Sequence, residues 1–575
     1  MSNEGSAISS IESPHIDRAS IPTESSSSAA TRVLFVYPPV RLNQPPRFPP
    51  FGMMYLGAAL EEAGIHVELI DINLLRVPFE EVMAIIESRQ FDVIGIGGMT
   101  TVYYYIKALS LHLKKRFPNI PIMGGGSAVS ASPDLVLTNT GIDVACIGEG
   151  EPIIVQLVRH LSEGQDLDDI PGIAYRLADG SIRHTAPRPR FLDIDRLPFP
   201  AYHLVDLEPY ISNNIKVNGR SPQIQARVEQ LGIDPVKASR PIPLFSKRGC
   251  PFGCNFCYRN FGRKTAQASV DSVLDHMSML EENYNTVFFV FSDEIFNVSK
   301  RWVTEFCERI IAEDRKYILA TNNAMRANTV DREMLVIMKK AGFCQIAIGV
   351  ESFYDPTLKA MEKNQTAETV ANALRLAREC DMFTNGAQLL FGYETDGRES
   401  MEANVKALTE LGFSSVGFAI PCPYPGTALY DIAQKRGLLG DEEGWLLELA
   451  DRDISDRMVN LSKMSDGEIL RHIEWGNDQL EINLIRKKHP IVAWILDYLQ
   501  PALRRLGGLN VTALWTQVWS ILRYQRRLVR PESVYFDTGH DRTALRDEVF
   551  DLLEELDREK NETQSQEVRR LEPLT

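Results

Sequence analysis

The sequence predicts an α/β protein built from two successive parallel-sheet units. An open sheet with helices on both faces comes first, then a partial barrel of six strand-helix units, then a helical C-terminal region. Three observations carry this. From Arg32 onward, short runs rich in Val and Ile alternate with amphipathic stretches. The alternation restarts at "IPLFS" with a period of roughly 30 residues, as expected of strand-helix-strand units. From about Gly440 the pattern is helical throughout. A chain of 575 residues exceeds one ordinary core, and 44% apolar with 24% charged residues is the composition of a chain that buries sizeable ones.

Residues 1–31, with "ESSSSAATR" and no periodic apolar positions, read as a disordered leader lacking a secretory apolar region. Residues 32–165 carry five strands, "RVLFVYP", "HVELIDI", "FDVIGIGGM", "IPIMGGG" and "VACIGEG", each followed by a helical stretch. Ligands of such sheets sit beyond the carboxyl ends of the strands, where Gly97, Gly98 and Gly124-Gly125-Gly126 fall. A tight turn explains any one of these glycines, but three in a row suggest close approach by something bulky. Residues 166–240 read as a connector with a short hairpin around "GIAYRLADGSIRHT".

Residues 241–437 form the predicted barrel, and barrel chemistry lies at strand ends. Three cysteines follow the first strand, Asp293 and Glu294 the second, Asn322, Asn323 and Arg326 the third, and Glu351 and Ser352 the fourth. Loops are polar in any protein, but this set includes three thiols. In 438–575, "WILDYLQPALRRLGGL" and "ALWTQVWSILRYQRRLVRP" predict apolar-plus-basic helices that cap the barrel, with peripheral membrane contact as the alternative. An acidic helix and a frayed tail follow Pro531. With no run of about 18 apolar residues, no membrane span and a cytoplasmic location are expected. The net charge of -15 argues against a nucleic-acid partner.

Five of the eight cysteines, Cys146, Cys307, Cys344, Cys380 and Cys422, are scattered and make no secreted disulfide pattern. The other three cluster in "KRGCPFGCNFCYRN" as Cys250, Cys254 and Cys257. Structural zinc normally takes four ligands, and a redox C-x-x-C pair has no use for Cys250. Soft thiolates suit iron and sulfide: three on a tight loop ligate three irons of a 4Fe-4S cluster and leave the fourth open to a substrate.

The C-x-x-x-C-x-x-C spacing, with Phe256 before the last cysteine and a barrel strand before the first, resembles the signature of the radical S-adenosylmethionine superfamily. The resemblance implies that the open iron chelates S-adenosyl-L-methionine and that one electron from the cluster splits it to a 5'-deoxyadenosyl radical. "FSDEIF" is similar to the family's contact with the methionine amino group, which implies cofactor roles for Asp293 and Glu294. "IAIGVESF" implies the same for Glu351 and Ser352. The order "RVLFVYPP", "PPFGMMYLGAALEEAGIHVELIDIN", "IGIGGMTT", "IMGGGSA" resembles the Rossmann/flavodoxin-like cobalamin-binding domain that precedes the barrel in cobalamin-dependent radical enzymes. The two resemblances cover most of residues 32–470. They imply that Gly98, Thr100, Gly124, Gly125 and Gly126 receive the dimethylbenzimidazole tail. One departure stands out. The Asp-x-His-x-x-Gly loop of mutases is replaced by "YPPVRLNQPPRFPPFG", and the first histidine beyond the leader is His66. That loop offers cobalt no histidine.

The resemblance thus implies a cobalamin-dependent radical enzyme with a 4Fe-4S cluster, S-adenosyl-L-methionine and cobalamin as cofactors. A flavodoxin- or ferredoxin-type electron donor is implied as partner. The expected reaction is methyl transfer to an unactivated carbon or phosphorus of a small-molecule, natural-product or lipid-like substrate. Radical cyclisation or rearrangement in the same architecture stays open at this stage. A non-catalytic cobalamin sensor is disfavoured by the intact cysteine triplet and Glu351, and a transfer-RNA methylthiotransferase by the missing N-terminal cluster cysteines and basic tail. No side chain is singled out as catalytic.

Overall fold

The computed structural model describes residues 31–571 other than 43, 219–220, 324, 385–387, 414–415, 451–458 and 489–541. Residues 1–30 of the predicted leader and the apolar-basic stretches 494–509 and 513–531 therefore lie outside the described residues.

Alternate residues of β1 (Arg32–Tyr37) point to opposite faces, and both faces are apolar. Val33 and Phe35 pack beneath helices Phe51–Glu62 and Ile154–Glu163. Leu34 and Val36 pack beneath Phe79–Glu87 and Tyr103–Arg116. A strand buried on both faces is a continuous apolar run, as "RVLFVY" reads. β2 (His66–Asp71), β3 (Val93–Gly97), β4 (Ile122–Gly125) and β5 (Val144–Cys146) complete a parallel sheet of order β2-β1-β3-β4-β5. In this flavodoxin-like order the chain reverses direction between β1 and β3, which opens a crevice at their carboxyl ends.

The sequence placed a hairpin in the connector. Its strands β6 (Ile173–Arg176) and β7 (Ile182–His184) in fact extend the first sheet, β6 pairing antiparallel with β5 through Val144↔Tyr175. The sheet has seven strands because the exposed edge of β5 would otherwise leave its backbone unpaired.

The second unit starts at β8 (Pro241–Leu244). A short antiparallel pair, β9 (Lys247–Arg248) with β10 (Ala266–Gln267), closes the cysteine loop between them. β11 (Phe288–Phe291), β12 (Ile318–Thr321), β13 (Phe343–Ile346) and β14 (Phe383–Thr384) continue a parallel sheet from β8. β15 (Gln388–Leu390) pairs parallel with β16 (Gly417–Ala419), and a Glu351↔Leu389 bridge joins β15 to the segment after β13. With β14 and β15 in one chain segment, this is the expected six-unit partial barrel. Side-chain caps start its helices: Ser269 accepts from the Ser272 amide, Asp331 from Met334 and Thr366 from Thr369.

The expected cap on the barrel is only partly what forms. Helix Asp466–Lys488 packs against barrel helix Arg398–Glu410. Helices Glu442–Glu448 and Arg542–Leu571 instead return to the first unit. There Trp445 is buried, Phe550 stacks on Tyr104 with centroids 5.5 Å apart, and Glu548 accepts from the Phe79 amide at 3.2 Å. The reason lies in helix Tyr103–Arg116. Its apolar surface wraps past the stripe a sheet covers, and the surplus needs a second partner. No helix among the described residues is long and apolar enough to cross a membrane.

Candidate functional site

A cavity of about 550 Å³ opens where the carboxyl ends of β1, β3 and β4 face the cysteine loop of the barrel. One wall is Tyr37, Met53 and the glycines 97, 98 and 124–126, and the other is Phe245, Tyr258, Phe261 and Glu294. Gly98, Gly124, Gly125, Gly126 and Glu294 therefore meet at one space. Cys250, Cys254, Cys257, Thr100, Asp293, Glu351 and Ser352 do not line it; the cysteine loop reaches it through Tyr258, Asn260 and Phe261.

The three consecutive glycines are small for three different reasons. A Cβ on Gly124 would lie 2.8 Å from Ile142 in the core. Gly126 has φ +83°, and a Cβ there would sit 2.5 Å from the Gly98 carbonyl oxygen. A Cβ on Gly125 meets nothing within 4 Å. Only at Gly125 does the missing side chain leave space to a ligand. Thr100 is buried, and its amide donates to Ser127 Oγ at 3.2 Å, holding the two glycine loops together.

Asp293 fixes the start of the cysteine loop. It is 1% exposed and accepts from the Ser246 amide at 2.6 Å, the Ser246 hydroxyl at 2.6 Å and the Lys247 amide at 2.9 Å. Burial pushes its carboxyl up against the pull of Lys247. Gly249, at φ +89°, has no room for a side chain: a Cβ there would lie 2.3 Å from the Lys264 carbonyl oxygen. Asn255 moors the loop to the barrel: its side chain donates to the Ala360 carbonyl at 2.8 Å and accepts from the Tyr393 hydroxyl at 2.9 Å.

Within that loop, desolvation and the neighbouring Glu294 and Cys254 push the Cys250 thiol up. Cys257 is the most exposed of the three, yet desolvation of its thiol, with the charges of Cys254 and Cys250, pushes it up to about 12. Among the described residues no three histidine, cysteine, aspartate or glutamate side chains are arranged around one metal-ion position. Glu294 turns toward this loop and the cavity, and its Oε2 is buried without a protein partner. Burial pushes its carboxyl up, against backbone N–H groups of Phe261, Gly249 and Asn260. The donor set and this orphaned oxygen fit a cluster carrying a ligand with an amino group.

The other strand-end residues are held by neighbouring groups. Glu351, at φ +62°, pairs with Lys363 at 2.7 Å. Ser352 is fully buried and accepts from the Tyr354 amide at 3.1 Å. Asn323 lines the cavity and donates to the Ser292 carbonyl at 2.8 Å.

Residues 39–158 match the B12 binding domain family and residues 245–421 the Radical SAM superfamily, together more than half of the chain. The chain is a radical S-adenosylmethionine enzyme with a cobalamin-binding domain. It is 27% identical to an uncharacterized methyltransferase of Pyrococcus horikoshii over 68% of this chain and 80% of the relative. It is 26% identical to the anaerobic magnesium-protoporphyrin IX monomethyl ester cyclase of Rubrivivax gelatinosus, over 69% of each. Its fold matches the radical S-adenosylmethionine methyltransferase TsrM of Kitasatospora setae, solved with cobalamin and a [4Fe-4S] cluster. The TM-score is 0.54 at 21% identity, covering 71% of this chain and 75% of that one.

Sequence reasoning missed how the cobalamin-binding domain is clamped to the radical domain. In "CIGEGE", Glu149 and Glu151 stand in the loop that follows β5 and meet Arg248, two residues before Cys250, at 3.2 and 2.8 Å. Arg190 also pairs with Glu149, and Arg188 donates to its carbonyl oxygen. The available signal was a pair of glutamates between glycines at a strand end, but only the loops after the third and fourth strands were read as functional.

Proposed function

We propose that this enzyme transfers a methyl group to an unactivated carbon or phosphorus of a small, apolar or lipid-like molecule. When bound, the cluster with S-adenosyl-L-methionine supplies a 5'-deoxyadenosyl radical, and cobalamin supplies a methyl group. The observation that carries the reading is the shared cavity, in which the glycine wall and the cysteine loop face one space, so that a substrate carbon can reach both chemistries without leaving it. Cys250, Cys254 and Cys257 hold the cluster in this proposal. Glu294 accepts from the methionine amino group and Glu351 supports the rest of that molecule through Lys363. Asp293 and Ser352 position loops. Phe245, Phe261 and Met99 exclude water from the radical. The electron comes from a flavodoxin- or ferredoxin-type donor.

A second reading, radical cyclisation, is favoured by the similarity to the Rubrivivax gelatinosus cyclase. Methyl-labelled S-adenosyl-L-methionine decides between them without knowledge of the substrate. Given to enzyme holding reduced cobalamin, it should pass its label to the cobalamin and leave S-adenosylhomocysteine. Formation of 5'-deoxyadenosine with no labelled cobalamin would replace methyl transfer with cyclisation.

A further inference from the structure

We propose that Arg326 sets the reduction potential of the cluster, by holding a fixed positive charge against the Cys254 sulfur. The proposal rests on the three cysteines being the cluster ligands. Arg326 is 6% exposed, and its Nη1 lies 3.8 Å from Cys254 Sγ. Every other face of the side chain is held. Nε donates to Asn328 Oδ1 at 3.0 Å, and Nη2 donates to the carbonyls of Lys363 and of Asn364, the latter at 3.3 Å. The guanidinium carbon stacks 3.8 Å over the Phe252 ring, itself inside the cysteine loop. Asn297 fixes the backbone from both sides, accepting from the Arg326 amide at 2.9 Å and donating to its carbonyl at 3.1 Å.

What such an arginine lacks is a carboxylate. None of the ion pairs among the described residues includes Arg326, although a buried guanidinium is costly without a negative partner. Its partners are neutral carbonyls, an amide, a ring and one sulfur. Of these only the sulfur carries negative charge, once Cys254 ligates iron. A cation fixed at that sulfur favours the reduced cluster, which holds one more electron, over the oxidised one. Arg326 therefore raises the potential and makes the cluster easier to reduce. The same guanidinium grips the carbonyl of Lys363, whose ammonium pairs with Glu351 at 2.7 Å. One residue thus joins the cluster loop to the segment that carries Glu351.

A merely structural clamp would share every one of these contacts, so the test reads the potential. Wild-type enzyme, Arg326→Lys and Arg326→Gln are reconstituted anaerobically and titrated with electron paramagnetic resonance of the reduced cluster as readout. At the potential where the wild-type cluster is half reduced, Arg326→Gln should show an about tenfold lower ratio of reduced to oxidised cluster. That is a downward shift of about 59 mV for one electron. Arg326→Lys, which keeps the charge, should recover most of it. A Gln variant with the wild-type potential, or Lys and Gln variants shifted alike, overturns the proposal. Should the Gln variant take up no iron and sulfide, Arg326→Met carries the test as a second neutral replacement: a lowered potential supports the proposal and an unchanged one overturns it. Failure of the wild-type protein to assemble a cluster would instead overturn the ligand assignment, and this proposal with it.

Discussion

Arg248 donates to the Glu151 carboxylate at 2.8 Å while its other terminal nitrogen reaches Glu149 at 3.2 Å, and all three side chains are less than a tenth exposed. Removing one partner of such a buried group leaves uncompensated charge. Arg248→Met should therefore lower stability by about 3–5 kcal/mol in chemical denaturation. Replacing Glu151 together with Arg248 should cost less than the single change, because Glu149 keeps Arg190 as its partner and no charge is stranded. Equal losses in the two variants would show that the network does not act as a unit.

The glycine wall separates binding from folding. Gly125→Leu should leave thermal unfolding near that of the wild-type protein and abolish retention of cobalamin colour on gel filtration, since its Cβ enters open space. Gly126→Leu should lower the unfolding temperature as well, from a positive φ and the clash with Gly98. Full cobalamin binding by Gly125→Leu would remove the glycine wall from the site.

Among the described residues no histidine lines the cavity, and His66 stands at the opposite, amino end of β2, 3.7 Å from Glu68. Bound cob(II)alamin should give an electron paramagnetic resonance spectrum without splitting from a protein nitrogen. Such splitting in the spectrum would show that cobalamin does not bind in this cavity.

Substituting Cys250, Cys254 or Cys257 with Ala should each abolish the iron-sulfur absorbance of the reconstituted protein. Cys307→Ala and Cys344→Ala should retain it, because both thiols are buried in the barrel core away from the loop. Loss of the cluster in either of these two would point to a different ligand set.

His276 should make the fold acid-sensitive. It stacks on Phe199 at 4.4 Å, its Nε2 lies 3.0 Å from the Tyr202 hydroxyl, and burial lowers its pKa from 6.5 to about 3. A base depressed in the folded state takes up its proton first in the unfolded state. The stability that its neutral form supports is thus whole above pH 6.5 and is lost as pH falls toward 3. His276→Gln, which does not titrate, should show a shallower fall in denaturation midpoint between pH 6.5 and 4. Identical slopes would place the acid sensitivity elsewhere.

The periodic apolar runs were enough to predict both sheets, because a parallel strand buried on two faces must be apolar at nearly every position, as Val33 to Val36 are. The cysteine spacing was likewise readable, since three thiols within eight residues of each other are a property of one short segment. The C-terminal helices were not. Whether Trp445 and Phe550 cover the barrel or the cobalamin-binding domain depends on which surface has apolar area to spare, and helix Tyr103–Arg116 does.

By itself, then, the sequence determined the two α/β units, the cysteine triplet and the glycine runs, all of them properties of short segments whose neighbours along the chain are their neighbours in space. Only the tertiary structure decided which strand-end residues face the cavity. Glu294 and Asp293 are adjacent in sequence, yet one opens toward the ligand space and the other closes on Ser246 and Lys247. It also decided the pairings of Arg326 with Cys254 and of Arg248 with Glu149, which join residues 72 and 99 positions apart. Such contacts form because burial forces each charged group to find a partner among whatever the packing brings near, and local pattern carries no record of that choice.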